Sequence, residues 1–597
     1  MTIPSNPLFA DRAGPRRWGQ RLILLGLGAT MVAVAHANVR DAAAPAPVAD
    51  ANGGETEEGI PVTDALTREK CGTCHAPDAK GNLSRISWVR TTPEGWAQAI
   101  KRMVRLNGLQ VTPDESRAIV RYLADFHGLA PEEARPVMYL PEHRIVDEAA
   151  IPNDTVRQAC AACHAFAQPL SWRRSKTEWK LLQDMHVAMY SQAEAQYRRV
   201  PDPAPGAPPP APGTMPVMNG QVALDYMQKT APLHTLEWGS WRPRIRAPYL
   251  AGTWLVSAHL PGRGDYVGEL TIRPGKAAGE FVTATALRSL ATGQALARQG
   301  TGLVYGGYAW RGRSAGQTAP AAVDDPATPT RDTMWFSPDQ KSAEGRWFWG
   351  EYHEFGFDVK LTRAGTAPAI AAVAPAALRA GTTRARVHIY GANLPADLAP
   401  ADVSLGDGVS VRAVESVAPG DAVVLADVAA DAVSGRRDVG VRGATLPQSL
   451  PVYRMIDYLK VVPDTGLARL GGEKHPKGYG QFEAFGYENG PDGKPNTADD
   501  VTIGPVDVDW RIDEFMAVQN DDDKAFVGTL GPGALFTPAA DGPNPARRFG
   551  RNNYGDVWVV ATAKTEKDRF GQPLTARAYL VVAVPAYQRW DQPEVAQ

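Results

Sequence analysis

Two pentapeptides use every cysteine of this 597-residue chain: CGTCH at residues 71–75 and CAACH at residues 160–164. Two cysteines separated by two residues suit a metal knuckle or a redox dithiol, but a histidine directly after the second cysteine is typical of c-type haem attachment. Each thiol can add to one haem vinyl group, and the adjoining histidine can then ligate the iron. The two motifs therefore predict two covalently bound haems.

The residues predicted to hold the haems are four cysteines and two histidines. They are Cys71, Cys74 and His75 in the first motif, and Cys160, Cys163 and His164 in the second. A zinc site shared by the four thiols is the main alternative, but it leaves both histidines without a role and requires widely separated segments to converge. We therefore predict that the thiols bind haem rather than zinc or one another.

An export signal is expected, because c-type haem is attached outside the cytoplasm. Residues 1–37 fit such a signal: Arg16, Arg17 and Arg21 precede the apolar run LILLGLGATMVAVA, and the AHA at its end fits a small-x-small cleavage site. A membrane anchor is the alternative, but about 14 apolar residues are too few for the ~20 that cross a bilayer as a helix. We predict cleavage after Ala37, a periplasmic mature protein and no stable membrane insertion.

Composition changes along the chain predict a multidomain protein, helical towards the N-terminus and all-β beyond. A leader of Ala, Pro, Gly and acidic residues has nothing to bury, and a later run of prolines reads as a stiff, extended tether. Short alternating apolar runs bounded by Gly, Pro and Asp then predict antiparallel β-structure. The predicted segments are a signal peptide (1–37), a disordered leader (38–59), a dihaem cytochrome c domain (60–200), a proline-rich linker (201–216), an antiparallel β-barrel domain (217–365), an immunoglobulin-like β-sandwich domain (366–455) and a second immunoglobulin-like domain (456–597).

An internal repeat points to the second ligand of each iron. ISWVRTTPEGWAQAIKRM at 86–103 matches LSWRRSKTEWKLLQDMH at 170–186 with one deletion, which indicates a duplicated unit. In the first copy Met103 lies two helical turns after Trp96, and the same step from the equivalent tryptophan of the second copy reaches His186. We predict Met103 and His186 as the distal iron ligands.

Alternatives remain at both distal positions, because a thioether or an imidazole nearby can reach the same iron. The alternatives are Met185 or Met189 in place of His186, and His127 or His143, both expected at the surface, in place of Met103. A further alternative is that the two predicted ligands only pack against the porphyrin edges. A methionine ligand generally raises the haem potential relative to a second histidine, so the predicted ligand sets give two haems of different potential and a directional relay.

The mature chain resembles the alpha subunit of quinohaemoprotein amine dehydrogenase. The resemblance rests on the duplicated CxxCH unit, on the barrel-like region containing LAGTWLVSAHLPGRGDYVGELTIRP, and on the two immunoglobulin-like domains that follow. It covers the chain from about residue 55 to the end. The domain order points to this family, since the haem motifs alone are common to cytochromes.

The resemblance implies the haem subunit of a periplasmic heterotrimer that oxidatively deaminates primary amines. It also implies a beta subunit with a propeller fold, a gamma subunit that carries cysteine tryptophylquinone, and azurin or a cytochrome c as the electron acceptor. One part of this division follows from the residues, because a tryptophan–cysteine quinone needs a spare thiol and all four thiols are predicted to bind haem. No catalytic residue is therefore expected in this chain.

Other functions fit parts of the sequence. A free-standing dihaem electron carrier, the cytochrome subunit of another periplasmic dehydrogenase and an adhesive β protein with an attached cytochrome all share the haem motifs. The long predicted β region at 217–597 is excessive for a carrier alone, which favours a docking scaffold. The formal net charge of −2 gives no support for nucleic-acid binding.

Overall fold

The computed structural model describes residues 55–138, 151, 153–161, 163–201, 215–516 and 521–585. The predicted signal peptide, most of the predicted leader, most of the proline-rich linker and His143 lie outside the described residues. Within them, no helix combines the length and the apolar character needed to cross a bilayer.

Helices dominate the N-terminal part, and most of the longer ones begin at a residue whose side chain caps the first turn. Asp64, Thr92, Thr112, Asn153 and Ser175 each accept a hydrogen bond from the backbone N–H three residues on. The helices are α1 (Ala65–Cys71), α2 (Pro93–Asn107), α3 (Pro113–Phe126), α4 (Pro131–Ala134), α5 (Asp154–Cys160), α6 (Ala167–Leu170), α7 (Lys176–Met189), α8 (Ser191–Tyr197), α9 (Asn219–Thr230), α10 (Leu236–Trp241) and, in the last domain, α11 (Asp523–Phe526). Two short strands lie among them, β1 (Val89–Thr91) and β2 (Trp172–Arg174).

The two sequence repeats meet in the antiparallel ribbon formed by β1 and β2. Arg90 lies opposite Arg173, and Val89 lies opposite Arg174. The sequence repeat equates Val89 with Arg173 and Arg90 with Arg174, so exchanging the two repeats maps the ribbon onto itself. The duplicated units are therefore related here by a local two-fold axis.

The second unit takes its third helix from beyond the proline-rich linker. In the first unit, α3 is followed by His127, whose carbonyl accepts a hydrogen bond from the Trp96 indole (3.0 Å). In the second unit, α9 is followed by Ala231, whose carbonyl accepts a hydrogen bond from the Trp179 indole (2.8 Å). Helix α9 therefore holds the place in the second unit that α3 holds in the first.

The proline-rich linker at 201–216 is an insertion within the second unit. The Asn219 N–H donates to the Arg199 carbonyl (2.7 Å), so the chain returns to the point from which it left. The domain boundary predicted at 217 assigns α9 and α10 to the barrel, whereas the buried Trp238 of α10 belongs to the core of the helical domain. The composition of the chain predicts the proline-rich linker, but it does not predict whether the helices after the linker pack against the helical domain or the barrel.

The middle of the chain closes into an eight-stranded antiparallel barrel, which confirms the predicted barrel. Its strands are β3 (Gly252–Leu260), β4 (Gly264–Pro274), β5 (Glu280–Ser289), β6 (Ala295–Tyr305), β7 (Ala309–Gly316), β8 (Thr330–Phe336), β9 (Ser342–Trp349) and β10 (Phe355–Arg363). Pairing of β10 with β3 closes the ring. Trp254, Phe336 and Phe357 are buried in its core, so side chains fill the interior as in other barrels of eight strands.

Two β domains with separate hydrophobic cores follow the barrel. Their strands are β11 (Ala369–Ala374), β12 (Leu378–Arg379), β13 (Ala385–Ala392), β14 (Val403–Ser404), β15 (Val409–Ala418), β16 (Asp421–Val428), β17 (Gly435–Val441), β18 (Ala444–Tyr453), β19 (Tyr458–Val462), β20 (Thr465–Arg469), β21 (Gly480–Gln481), β22 (Glu483–Glu488), β23 (Val501–Pro505), β24 (Val508–Glu514), β25 (Gly528–Leu530), β26 (Leu535–Pro538), β27 (Gly555–Lys567) and β28 (Pro573–Ala583). The sheets have the orders β11-β13-β16-β15 and β12-β18-β17-β14, then β19-β22-β23, β20-β28-β27-β24 and β21-β26-β25. The mostly β architecture agrees with the predicted fold class, and the immunoglobulin-like assignment stays a prediction.

Buried polar contacts fix the helical domain to the barrel. Arg311 of β7 pairs with Glu94 in the first turn of α2, where its Nη2 lies 3.1 Å from Oε2. The Tyr308 hydroxyl, in the turn before β7, donates to the Leu129 carbonyl (2.9 Å). These groups are buried in the assembled chain, so separating the two domains would leave them without partners.

A buried ion pair joins the ribbon to the segments around it. Arg90 is fully buried, and its guanidinium donates to both oxygens of Glu133 (2.7 and 3.0 Å) and to the Leu233 carbonyl (2.8 Å). Arg173 and the Thr235 hydroxyl donate to the same carboxylate (3.2 and 2.7 Å). Burial alone would raise the pKa of Glu133, but the hydrogen bonds and charge of Arg90 outweigh it and lower that pKa to about 2.

We expect Glu133→Gln to lower the free energy of unfolding of the helical domain by about 3–5 kcal/mol, because Arg90 would remain buried without its counter-charge. The measurement is urea unfolding of the haem-loaded chain, followed by far-ultraviolet circular dichroism. Glu194→Gln is the matched control: Glu194 pairs with Arg198 at 2.5 Å on the exposed surface of α8, and its loss should cost ~0.5 kcal/mol or less. Equal losses in the two variants would contradict a special role for the buried pair.

Candidate functional site

The first CxxCH motif lies at the end of α1, which α3 holds in place. The Tyr122 hydroxyl of α3 accepts a hydrogen bond from the Thr63 N–H just before α1 (2.7 Å). Cys71 is the last residue of α1, and the His75 N–H donates back to the Cys71 carbonyl (2.9 Å). The turn therefore returns the histidine to the helix end that carries the first thiol.

The His75 imidazole is oriented by a backbone carbonyl. Its Nδ1 lies 2.8 Å from the Ser84 carbonyl oxygen, so Nδ1 donates and Nε2 is left for a metal. Burial lowers the pKa of His75, which favours the neutral ring that ligates iron. The next residue, Arg85, has a φ of 68°, and its guanidinium lies 2.6 Å from the carboxylate of the buried Glu178 of α7. The carbonyl that orients His75 is thus tied to the second unit.

The four cysteine thiols are unpaired and do not converge. Cys71 and Cys160 are half-buried, and Cys74 and Cys163 are exposed. Burial raises the pKa of Cys71 to about 11 and the pKa of Cys160 to about 12. Within the described ranges, the only group of three or more metal-ligating side chains within reach of one ion is a trio of aspartates in the last domain. The zinc alternative therefore finds no support in the positions of these thiols.

Helix α2 carries the predicted distal ligand of the first motif beside an open apolar surface. Trp96 is buried, and Met103, two turns later, is half-buried with its Sδ 3.6 Å from the Asn107 amide nitrogen. Val104 and Leu106, in the same turn as Met103, are exposed. Leu106 lies three residues after Met103 and therefore on the same face of α2, so this exposed apolar side chain fits coverage by an apolar group such as a porphyrin.

The second motif repeats this arrangement with local differences. Cys160 ends α5, and the His164 Nδ1 lies 3.1 Å from the carbonyl oxygen of Ala165. On α7, the His186 Nδ1 donates to the Leu182 carbonyl (2.8 Å), which leaves Nε2 for a metal. Both histidines predicted to serve the second iron are therefore held through Nδ1, as metal-ligating histidines usually are.

The alternative ligands on α7 lie close to His186. The Met185 Sδ lies 3.9 Å from the guanidinium of Arg102 on α2, so this thioether faces the other ligand-bearing helix. Met189 and Tyr190 are exposed at the end of α7. The choice among His186, Met185 and Met189 stays a prediction, and all three lie within one turn of one another.

The prediction that His127 lies at the surface is wrong, because its side chain is fully buried. Helix α3 ends at Phe126, and the chain then passes beside α2, where the imidazole lies edge-on to Trp96 with ring centroids 6.3 Å apart. Burial lowers the pKa of His127 to about 3, so the ring is neutral. The turn after α3 belongs to the core of the helical domain, which the sequence pattern did not reveal.

Charged side chains gather between the two motifs. Besides its contact with Arg85, the Glu178 carboxylate lies 3.7 Å from Arg174. The Ser175 hydroxyl, which caps α7, donates to the carboxyl of Glu55 (2.6 Å). Burial raises the pKa of Glu55 to about 7, against the lowering effect of the hydrogen bond from Ser175. Burial also raises the pKa of Glu178.

The last residues of the predicted disordered leader are part of this charged cluster. The Lys176 N–H at the start of α7 donates to the Glu57 carboxylate (2.7 Å), and the Trp88 indole donates to the Glu57 carbonyl (2.8 Å). Carboxylates at a helix N-terminus are stabilised by the helix dipole. The disorder predicted for residues 38–59 therefore does not extend to the last residues of that range, because their carboxylates contact the start of α7. Composition alone cannot predict such a contact.

The role of Glu178 cannot be predicted from the sequence. The stretch SKTE at 175–178 has the pattern of a capping box, in which the glutamate serves only its own helix. In the structure the carboxylate reaches Arg85, next to the carbonyl that orients His75. In the sequence, the only sign of this contact is that Arg85 lies between the first motif and the repeat. That position alone does not distinguish a buried ion pair from a solvent-exposed arginine.

Four protein-family models match the chain in succession. The model described as quinohemoprotein amine dehydrogenase A, alpha subunit, haem binding, matches residues 62–199. The models for quinohemoprotein amine dehydrogenase alpha subunit domains II, III and IV match residues 247–364, 367–454 and 459–595. The chain belongs to the quinohemoprotein amine dehydrogenase alpha subunit family. The haem-binding match spans both CxxCH motifs and the helices α2 and α7, which carry the predicted distal ligands, and the family description implies further subunits.

The other comparisons add nothing on the function of this alpha subunit. No curated protein sequence matches it. A de novo designed fluorescence-activating beta barrel aligns over 19% of this chain and 94% of its own, at 19% identity and a TM-score of 0.15. Surface layer protein SbsC, domains 1–6, aligns over 80% of this chain and 84% of its own, at 8% identity and a TM-score of 0.15. Likenesses at this level carry no argument.

We expect Glu55→Gln to flatten the pH dependence of stability. The pKa of Glu55 is raised in the folded chain from 4.5 to about 7, so its stabilising contribution is full below pH 4.5 and is lost as the pH rises through about 7. The measurement is the unfolding midpoint of the haem-loaded chain and of the variant between pH 4 and pH 8. Glu194→Gln, on the exposed surface of α8, is the control. A constant difference between wild type and Glu55→Gln over this range would contradict the expectation.

Proposed function

We propose that this chain is the haem-bearing electron-transfer subunit of a periplasmic amine dehydrogenase that oxidatively deaminates primary amines. Electrons pass from a quinone cofactor on a partner subunit through two c-type haems to an external acceptor. The observation that carries the proposal is the haem-binding family match across two CxxCH motifs whose histidines each keep Nε2 for a metal. The order of the four family models along the chain supports the assignment to an amine dehydrogenase rather than another dehydrogenase.

The residues divide into those that attach the haems and those that ligate the iron. The attachment residues are Cys71, Cys74, Cys160 and Cys163, and the proposed iron ligands are His75, Met103, His164 and His186. When bound, two haems of this type supply one-electron transfer. The chain fixes the imidazoles through the carbonyls that accept hydrogen bonds from their Nδ1, and partial burial of the first histidine lowers its pKa and favours the neutral ring.

We assign the amine-oxidising centre to another chain. Cysteine tryptophylquinone needs a free thiol, and the four thiols of this chain all lie in the two haem motifs. We assign the quinone to a gamma subunit, a propeller fold to a beta subunit, and the role of acceptor to azurin or a cytochrome c. The predicted signal peptide and the two CxxCH motifs support a periplasmic location for the complex.

The first test is reduction of the haems by amine in the native complex. We expect the tagged full-length chain, purified from its native host, to bring small partner chains with it. Addition of n-butylamine or benzylamine should then produce the absorption spectrum of reduced haem, whereas buffer alone should not. A chain that purifies alone, with haems that reduce with dithionite but not with either amine, would indicate a free dihaem carrier instead.

The second test separates the two proposed distal ligands. A methionine ligand on oxidised haem iron gives a near-infrared charge-transfer band, and it raises the haem potential. We expect Met103→Ala to remove this band and lower one of two potentials measured by redox titration, and His186→Ala to change the other potential while the band stays. Met185→Ala and Met189→Ala are the controls and should leave both potentials in place. A band that survives Met103→Ala would assign the thioether ligand elsewhere.

A further inference from the structure

Two copies of Arg-Phe-Gly occur in the last domain, at 548–550 just before β27 and at 569–571 just after it. Both phenylalanines are exposed, Phe549 to 89% and Phe570 to 73%. In each copy the arginine lies over the phenylalanine ring of its own tripeptide, with its Cζ 4.8 Å from the ring centroid. The chain thus places the same arginine–phenylalanine pair at both ends of one long strand.

The loop that carries Phe549 is held from beneath by a buried arginine. The Arg547 side chain is fully buried and donates to the carbonyls of Asn552 and Tyr554 (both 2.8 Å) and to Asp522 (2.7 Å). Phe549 has a φ of 65°, a backbone conformation that bulky side chains rarely adopt. Such conformations persist where the surroundings enforce them, and they cluster at functional positions. The loop therefore presents the ring to solvent instead of folding it into the core.

The trio of aspartates beneath this loop serves as its anchor. Asp521, Asp522 and Asp523 lie close enough together for one cation. Arg551 donates to all three carboxylates, and Arg547 donates to two of them. Because two guanidinium groups already offset most of the charge of the three carboxylates, we assign the aspartates to holding the loop and not to binding a metal.

The sheet face between the two tripeptides is aromatic. Phe515, Trp558 and Tyr579 contact one another, with ring centroids 4.9 to 5.9 Å apart. Trp558 and Tyr579 alternate with core residues along their strands, as Val557 and Leu580 show, so they lie on the face opposite the core. A cleft of about 630 Å³ opens on this face beside Tyr579 and the loop that follows Phe549.

Three exposed arginines of this domain are stacked on aromatic rings. Two are Arg548 and Arg569 of the tripeptides, and the third is Arg577, whose Cζ lies 4.0 Å from the Trp558 ring centroid. Among the described residues, none of the three forms a salt bridge. Arginine, tyrosine, tryptophan and phenylalanine are enriched at protein–protein interfaces, and arginine, tyrosine and tryptophan often contribute most of the binding energy there.

We propose that the two Arg-Phe-Gly loops and the aromatic sheet face between them, here called the Arg-Phe surface, dock a partner subunit of the enzyme complex. The docked subunit presents carboxylates beside apolar side chains, because the surface offers unpaired guanidinium groups over aromatic rings. The inference rests on the proposed function, since it requires a multi-subunit enzyme.

The position of the Arg-Phe surface favours a resident subunit over an electron acceptor. The core beneath the surface shares no residue with the core of the helical domain, and an acceptor has to approach a haem closely. The barrel contacts the same domain through Glu483, which accepts a hydrogen bond from His259 (2.8 Å) and lies on a different sheet. On the aromatic face itself, Phe515, Trp558 and Tyr579 are each partly exposed in the described structure.

The test compares the native complex carrying Phe549→Ala and Phe570→Ala with the wild type. The full-length haem-loaded chain is purified from its native host, and the partner chains retained per chain are quantified by gel densitometry over increasing salt. We expect at least ~10-fold weaker retention, as for loss of interface aromatic residues, with unchanged haem content and unfolding midpoint because both rings are exposed. The double charge reversal Arg548→Glu with Arg577→Glu should weaken retention most at low salt.

Tyr249→Ala is the matched control. Tyr249 is also exposed, to 77%, and the centroid of its ring lies 5.8 Å from the Cζ of Arg363. That arginine is already committed to backbone carbonyls, including that of Ala251 (3.0 Å), so the control removes an exposed aromatic ring without a free guanidinium beside it. Partner retention should match the wild type.

Unchanged retention in both double variants would overturn the Arg-Phe surface while leaving the proposed function intact. Retained partner chains combined with loss of self-association, measured by light scattering, would assign the surface to a second copy of this chain and would also overturn the proposal. Retained partner chains with slower haem oxidation by an added cytochrome c would assign the Arg-Phe surface to the electron acceptor. That result would also overturn the proposal. A wild-type chain that purifies without partners would overturn both proposals.

Discussion

The geometry of the helical domain depends on one buried carboxylate. Glu133 accepts hydrogen bonds from Arg90 of the first repeat, from Arg173 of the second and from Thr235 beyond the linker, so all three parts of the domain meet at this group. A buried ion pair repays its desolvation only when its remaining donors are satisfied, which the Leu233 carbonyl helps to do. Helices α2 and α7 begin just after the two paired strands, so both helices that carry the predicted distal ligands start from the same fixed point.

The two CxxCH motifs are repeats in sequence but differ in their surroundings. The His164 Nδ1 contacts the carbonyl of the neighbouring residue, whereas the His75 Nδ1 contacts a carbonyl that precedes Arg85, whose guanidinium is held by Glu178 of the other repeat. Hydrogen bonds to a ligating histidine tune the metal it holds. The two repeats have therefore diverged in the hydrogen bond that orients the histidine of each CxxCH motif.

Local patterns predicted what depends on local chemistry. The cysteine spacing predicts a haem-binding domain, and the alternation of apolar residues predicts the strands of the barrel, because each pattern reflects local geometry. The packing of α9, the burial of His127 and the order of Glu57 were not predictable in this way, since each is set by a partner far along the chain. A histidine after a helix end looks the same in sequence whether the following turn faces solvent or Trp96. The family membership, in turn, rests on four family models that together cover most of the chain, which no single motif could show.

The hydrogen bond between the Asn219 N–H and the Arg199 carbonyl has a consequence for how this chain can change. Because the ends of the proline-rich run meet, its length sets no distance between domains, and the entropic cost of a longer loop grows only slowly. The run should therefore tolerate long insertions, including a whole additional domain. Such an insertion would leave the contact between α7 and α9 unchanged.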